Sequence, residues 1–388
     1  MSLRVLHIIG GLELGGAETL LYRLIDRPSD VEHEVIAISH RDWYSPILEQ
    51  RGIPVTHLNA SSIASVPRAL FRLNALIRKS RSDVVHCWMY AANVLGGLAA
   101  MSAGKPTIWA IHSSSIAPLS FKGRSFARVG GLLAPFASDF VINCSTRSAE
   151  LHRALGYGRA PGAVIYNGYD PGAFFPDEAA RAATRRDLGI APGTFLIGSI
   201  SRWHSQKDIP NLLAAVTMFR RTATNFRCIL AGAGLRAQNA ELRQAIERAG
   251  CEPEVLLLGR RPDVPELARA FDLHVLSSCG GEAFPNVVAE TMLSETPNVV
   301  TDVGDSAFMV GESGWVVPPR DADRLAHAIG VAFDEWKNRP QRWQVRRAGA
   351  RTRIAENFTF ERMAEAYEQL WRRMAKQRSP ATLATSVR

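Results

Sequence analysis

Residues 4–27 read RVLHIIGGLELGGAETLLYRLIDR, and the succession of residue types in them sets the architecture. A short β-branched run at 4–9 reads as a strand and breaks at Gly10-Gly11. Four glycines fall within seven residues, Gly10, Gly11, Gly15 and Gly16, and apolar residues at helical spacing begin at Ala17. Strand signals recur at 33–38, 55–58, 84–87, 107–111, 140–143 and 164–165, then in a second set at 195–200, 226–231, 255–258, 273–276 and 297–301. Helical spacing separates them, as in 17–27, 66–79, 211–220 and 237–249. Such alternation predicts an α/β protein with parallel sheets and helices on both faces. The stretch 167–192, rich in Gly, Pro and charge, divides the two sets. Two α/β units of similar size follow, with ligand loops expected at the carboxyl ends of the strands, and two such units in tandem can leave a cleft between them.

Composition narrows the class. The 388 residues are 46% hydrophobic and 21% charged, an ordinary globular balance that excludes global disorder. Net charge is +9 and unevenly placed. Residues 66–130 hold nine Lys/Arg against the single acid Asp83, and residues 339–388 hold twelve against four acids. Anionic partners are favoured: phosphates, acidic lipid or nucleic acid. Five cysteines, Cys87, Cys144, Cys228, Cys251 and Cys279, form no C-x-x-C pair, which argues against a disulfide scaffold or zinc ribbon. The apolar run at 4–9 is too short for a secretory signal, and nothing approaches 18 uninterrupted apolar residues. A cytoplasmic protein is expected.

Six motifs carry chemistry. The loop Gly10–Gly16 can bring backbone N–H groups to a phosphate at a helix N-terminus, whereas a tight turn needs one glycine rather than four. His112 stands where the 107–111 strand gives way to a polar loop, a site position or a structural histidine, with His86 as its rival. Arg202 and Lys207, five apart before a helix, form a diphosphate clamp or a solvated loop. The segment 232–237, opening Gly232-Ala233-Gly234, fits G-x-G-x-x-A, but the acid Glu254 precedes the next strand instead of ending it, against a dinucleotide site. In 279–290, Glu282 sits in a Gly-rich loop and Glu290 one turn into an apolar helix, where two solvent glutamates behind an Asn286 cap would be unexpected. Asp321-Ala322-Asp323 has metal–diphosphate spacing, yet it stands where a helix N-cap belongs.

With these residues the chain resembles the retaining glycosyltransferases of family 4, which have the GT-B fold, an α/β architecture of two Rossmann-like parallel-sheet domains facing across a cleft. The resemblance covers nearly everything from Arg4 to Lys376 and adds 164–170 (VIYNGYD), 301–304 (TDVG) and 314–318 (GWVVP) to the motifs above. It implies an acceptor-binding domain over 1–170, a nucleotide-sugar domain over 171–357, a helix over 358–378 crossing back, and a frayed tail over 379–388. It implies roles as well. Arg202 and Lys207 would hold the donor diphosphate and stabilise the leaving charge. Gly15 and Gly16 would approach the donor phosphates and the acceptor, and the Gly232 turn would line the donor. Glu290 would take the ribose hydroxyls. Glu282 and the backbone of Ala283, Phe284, Pro285, Asn286 and Val287 would hold the donor sugar. His112 would position donor and acceptor. Front-face attack, with the leaving phosphate helping to deprotonate the acceptor, needs no protein nucleophile, and the family needs no metal or other cofactor.

The chain departs from the commoner family form at Asp208, where glycine usually follows the lysine, placing a negative charge beside the phosphate loop. The expected partners are a nucleotide diphosphate sugar, UDP above GDP, and a saccharide or lipid-linked saccharide acceptor of surface polysaccharide or glycolipid synthesis. A sugar-nucleotide epimerase or a phosphorylase is the nearest alternative. A nucleic-acid-binding protein is more remote, since the cations cluster in two places and no RNA- or DNA-binding motif appears. In 116–128, cations interleave with Phe121 and Phe126, which predicts peripheral attachment to the inner face of the cytoplasmic membrane.

Overall fold

Seven strands assemble the first unit of the computed structural model, which describes residues 2–60, 65–116 and 120–377. They are β1 (Leu3–Ile9), β2 (Val31–Ala37), β3 (Val55–His57), β4 (Val84–Trp88), β5 (Thr107–Ile111), β6 (Phe140–Asn143) and β7 (Gly162–Val164). Between them run α1 (Gly16–Asp26), α2 (Tyr44–Gln50), α3 (Val66–Lys79), α4 (Met89–Ala103), α5 (Phe121–Ala137) and α6 (Thr146–Ala154). All pairings are parallel, in the order β3-β2-β1-β4-β5-β6-β7. Every residue of β4 and β5 is buried, as expected of strands covered by helices on both faces.

The second unit carries β8 (Phe195–Ile200), β9 (Phe226–Ala231), β10 (Val255–Gly259), β11 (Leu273–Leu276), β12 (Asn298–Thr301) and β13 (Trp315–Val317). Its helices are α7 (Glu178–Asp187), α8 (Ile209–Phe219), α9 (Ala240–Ala249), α10 (Val264–Ala270), α11 (Asn286–Leu293), α12 (Ser306–Val310), α13 (Ala322–Asn338) and α14 (Pro340–Asn357). The sheet order β10-β9-β8-β11-β12-β13 repeats the doubly wound plan. In both sheets the order reverses beside the first strand, so neighbouring connections leave for opposite faces and open a crevice at the carboxyl ends.

The last helix, α15 (Phe360–Gln377), belongs to both units by sequence. Packing divides the described residues into 2–166 with 363–377, and 167–362. The first sheet ends at Val164, and Tyr169 is already fastened to the second unit, its N–H donating to Phe358 O and its own carbonyl accepting from Phe360 N–H, each at 2.9 Å. From Met363 onward α15 lies against the first unit. Met363, Tyr367, Leu370, Trp371 and Met374 repeat on one face and are buried there. Burying side chains of this size stabilises by about 1.5–3 kcal/mol each.

Several expectations are corrected. The three-residue β13 was missing from the expected strands: Val316 is exposed, and Gly314 and Pro318 flank it closely. The segment between the sheets is not irregular throughout, since α7 forms there, capped by Asp177 and tied down by Arg181 and Arg185 on Asp272 (2.5 and 3.1 Å). The helix after Gly232 begins only at Ala240, capped by Asn239. Phe121 is 81% exposed as expected, but Phe126 turns inward and packs on the core. Residues 117–119 of that basic stretch, and the tail from 378, lie outside the described residues. Among the described residues no helix is long and apolar enough to cross a membrane.

Candidate functional site

In the second unit the loops after β8 and β11 are sewn together. Cys279 N–H donates to Gln206 O (2.8 Å), Ser277 Oγ to Lys207 O (2.8 Å), and Cys279 Sγ to Ser205 O (3.4 Å). These bonds bring two predicted residues into contact: Lys207 Nζ forms an ion pair with Glu282 Oε1. Ser278 Oγ donates to the same oxygen (2.6 Å), and Glu282 is buried. A buried carboxylate needs such partners, and a lysine held this way presents its charge from a fixed place. Arg202, by contrast, is exposed and forms no hydrogen bond or ion pair with any described residue.

His274, in mid-β11, lies below this pair and was not singled out by sequence. Burial pushes its imidazole pKa down to about 4; the bond to Asn298 works against that, and the nearby Lys207 charge works with it. The neutral ring pairs with Asn298 Oδ1 through Nδ1 (2.6 Å), and Nε2 accepts from Ile200 N–H (3.4 Å). No second cation therefore stands under Lys207. A polar residue within the apolar run 273–276 was the available signal.

The E-x7-E segment has two halves of different character. The Phe284 side chain packs into the fold: it is buried and stacks on Tyr169 (6.2 Å) and against Phe358 (5.2 Å). Asn286 does not cap α11; Pro285 stands at the cap position, and Asn286 Oδ1 accepts from the Tyr169 hydroxyl (3.2 Å). The first turn of α11 thus lacks a side-chain cap, a polarity suited to an anion. Ala283 is anchored by its carbonyl, which accepts from Asp305 N–H (3.0 Å), and Val287 is half-buried in that first turn. Glu290 lies one turn further along, half-buried.

Other motifs resolve into structure. Gly232 (φ +136°) lies where a Cβ would sit 1.5 Å from Ser201 O, and its N–H donates to Gly259 O (2.7 Å). That close approach accounts for the glycine, and the late start of α9 removes the helix a dinucleotide fingerprint needs. Asp321 caps α13, with Oδ1 accepting from Arg324 N–H (2.9 Å). Asp208 adopts φ +45° and ψ +47°, the left-handed region that glycine enters freely. Burial raises its carboxyl pKa, against the pull of the Asn211 amide and of Arg320.

In the first unit, the glycine loop follows β1 and Gly15 is the N-cap of α1, without a side-chain cap bond. A Cβ on Gly15 would meet the Glu18 carboxylate at 2.2 Å, so the glycine lets Glu18 fold back over the helix start. Burial raises the Glu18 pKa, with its own amide opposing and Glu13 adding to the rise. Gly16 opens α1 and meets no such neighbour. His112 follows β5 directly, with Trp88 stacked on its ring (5.5 Å) and the Tyr367 hydroxyl 3.4 Å from Nε2. Its rival His86 lies inside β4, fully buried, with Nδ1 accepting from Trp371 Nε1–H (3.2 Å).

Two doubly wound units in tandem, with candidate loops at the carboxyl ends of their strands, make up the architecture of GT-B glycosyltransferases. The chain belongs to that class by sequence: residues 14–173 match Glycosyltransferase Family 4 and residues 194–334 match Glycosyl transferases group 1, and it is a member of this family. It is 24% identical over 334 residues to the UDP-Gal:alpha-D-GlcNAc-diphosphoundecaprenol alpha-1,3-galactosyltransferase of Escherichia coli, covering 82% of each chain. It is 27% identical over 245 residues to the lipopolysaccharide core biosynthesis mannosyltransferase LpsB of Rhizobium meliloti, covering 60% of this chain and 66% of that one. A crystal structure of Anabaena HepE in complex with UDP matches the fold with a TM-score of 0.81 at 24% identity, covering 95% of this chain and 99% of that one.

Proposed function

We propose that this glycosyltransferase moves a hexose-type sugar from a UDP-sugar to a saccharide or lipid-linked saccharide, retaining the anomeric configuration and using no metal. The observation that carries the reading is the Lys207–Glu282–Ser278 cluster where the loops after β8 and β11 meet. Lys207, held by Glu282, and the uncommitted Arg202 would take the donor diphosphate and stabilise charge as it leaves. Glu282 would meet the donor sugar, the uncapped start of α11 its phosphate, and Glu290 the ribose. In the first unit His112 would position the acceptor and the sugar, with Gly15 and Gly16 beside the phosphates. UDP in the HepE crystals and the UDP-Gal named for the E. coli relative support a uridine donor. The diphosphoundecaprenol in that relative's name supports a lipid-linked acceptor.

Glycan synthesis on a lipid acceptor gives the solvent face of α5 a purpose. Phe121, Arg124, Arg128, Leu132 and Phe136 follow one another at helical spacing and are all exposed. Cations attracted to anionic head groups, with apolar side chains entering the interface, would hold the enzyme at a membrane surface.

A panel of nucleotide sugars, read first by thermal stabilisation and then by turnover with an acceptor, tests the reading. UDP-sugars should raise the melting temperature, and the product linkage should keep the donor's configuration. Lys207→Ala should lose far more activity than Asp323→Ala, and EDTA should leave wild-type turnover intact. Activity abolished by chelation and restored by magnesium or manganese would overturn the metal-free reading. Stabilisation by GDP-sugars alone would overturn the uridine reading.

A further inference from the structure

His112 is gripped by two elements that meet at the end of β5. Its backbone N–H donates to Met89 Sδ (3.2 Å), while the Trp88 ring lies 15° from parallel over the imidazole. Met89, the first residue of α4, has φ +66°, a left-handed conformation rare for a long side chain. The β4–α4 turn is thus bent against local preference, and the bend delivers both neighbours to His112. The second element is α15. Tyr367 places its hydroxyl 3.4 Å from His112 Nε2, and its ring stacks on Trp88 at 6.0 Å and 17°. Tyr367 is fully buried, and burial drives its phenol pKa upward, so the hydroxyl stays neutral.

We propose that Tyr367 is a positioning residue for His112, its hydroxyl holding Nε2 and so fixing the direction in which the imidazole meets substrate. The inference rests on the assignment of His112 to the site. Stacking on Trp88 fixes the plane of the imidazole but does not choose between the two orientations related by a half-turn about Cβ–Cγ, and a hydrogen bond to Nε2 favours one of them. A neutral hydroxyl can donate to the neutral imidazole and accept from the charged one, so the ring keeps its place if it gains or loses a proton. Packing alone would be served by a phenylalanine at 367. Trp371, one turn further along α15, treats His86 in a similar way from a position within the core. The final helix therefore brings a group of the site into the first unit, in addition to closing its core.

Three variants test this, each measured for kcat, for donor KM and for melting temperature. Tyr367→Phe keeps the ring and its stacking and removes the hydroxyl. It should lower kcat roughly tenfold, with donor KM within about twofold of wild type and little change in melting. Trp371→Phe removes a hydrogen bond to a histidine from the same helix and should lower melting while leaving kcat near wild type. His112→Ala should lower kcat by about a hundredfold or more. If Tyr367→Phe turns over like wild type while His112→Ala is impaired, the role of Tyr367 is overturned and that of His112 stands. If Tyr367→Phe and Trp371→Phe lose kcat and melting temperature in parallel, α15 acts as scaffold and the inference again falls. A fully active His112→Ala would overturn the assignment of His112 itself.

Discussion

Lys207 and Glu282 are 75 positions apart, and neither would be stable alone where it stands. The glutamate side chain is 8% exposed and the lysine 21%, so removing either leaves a poorly solvated charge behind. In the proposed donor role, their pairing would set the lysine before the donor arrives, an advantage for catalysis because no reorganisation follows binding. Asp208, next in the chain, shows why glycine is common in the family form: the backbone turns through φ +45° to enter α8, and aspartate is among the few other residues that tolerate it. The two glutamates of the E-x7-E segment should separate in experiment. Glu290→Ala should weaken UDP binding by about 1.5–3 kcal/mol, the worth of a charged hydrogen bond, or roughly ten- to a hundredfold in Kd. Glu282→Ala should mainly lower kcat: UDP carries no hexose for it to meet, so its loss of UDP affinity should be smaller than that of Glu290→Ala and come only through the freed Lys207. Calorimetric titration of UDP into both variants decides it; unchanged affinity in Glu290→Ala would remove that residue from the nucleotide site.

The helix α5 shows what periodicity can and cannot foretell. Its cations and phenylalanines were legible, but the phase was not: Phe126 falls on the inward face, while Leu132 (66% exposed) and Phe136 (74%) join Phe121 outside. Elsewhere in the first unit, Phe71 on α3 is 76% exposed. Vesicle co-sedimentation should rise with anionic lipid and fall with salt, each cation contributing about 1 kcal/mol near the surface. Replacing Phe121, Leu132 and Phe136 together by serine, or Arg124 and Arg128 by glutamine, should release the protein. Equal recovery in the supernatant with neutral and anionic vesicles at low salt would defeat the membrane reading. The strand positions were legible because buried parallel strands are continuous apolar runs. Short β13 and the polar-faced α7 were not, since neither buries enough to leave a pattern. Candidate site loops were legible where a loop is written in glycine and charge, as at 10–16, 202–208 and 279–290. Pairings made by tertiary contact, Lys207 with Glu282 and His112 with Tyr367, have no local signature.

At the scale of the whole molecule, the buried histidines are distributed unequally between the units. Strand register gathers them: His7 pairs with His86 across β1 and β4, and His33 on β2 reaches His7 at 3.0 Å. Burial drives His7 and His86 well below their ordinary pKa and lowers His33 to about 4; His152 is lowered too. All four belong to the first unit, and His274, also near 4, is the counterpart in the second. The sign follows from linkage. An unfolded histidine takes its proton near pH 6.5, whereas His33 and His274 in the fold refuse it until about pH 4. Between those values the unfolded chain binds more protons, so stability falls as pH drops, by about 1.4 kcal/mol per pH unit for each such group. Glu18, raised by burial, opposes the trend as one group against four. The first unit should therefore loosen before the second on mild acidification, at a pH where most carboxylates remain ionised. Hydrogen exchange at pH 7 and pH 5.5, corrected for intrinsic rates, should show protection lost in peptides from 1–166 and 363–377 and kept across 195–301. Loss of equal size in both units, or none in either, would show that these histidines do not govern acid stability.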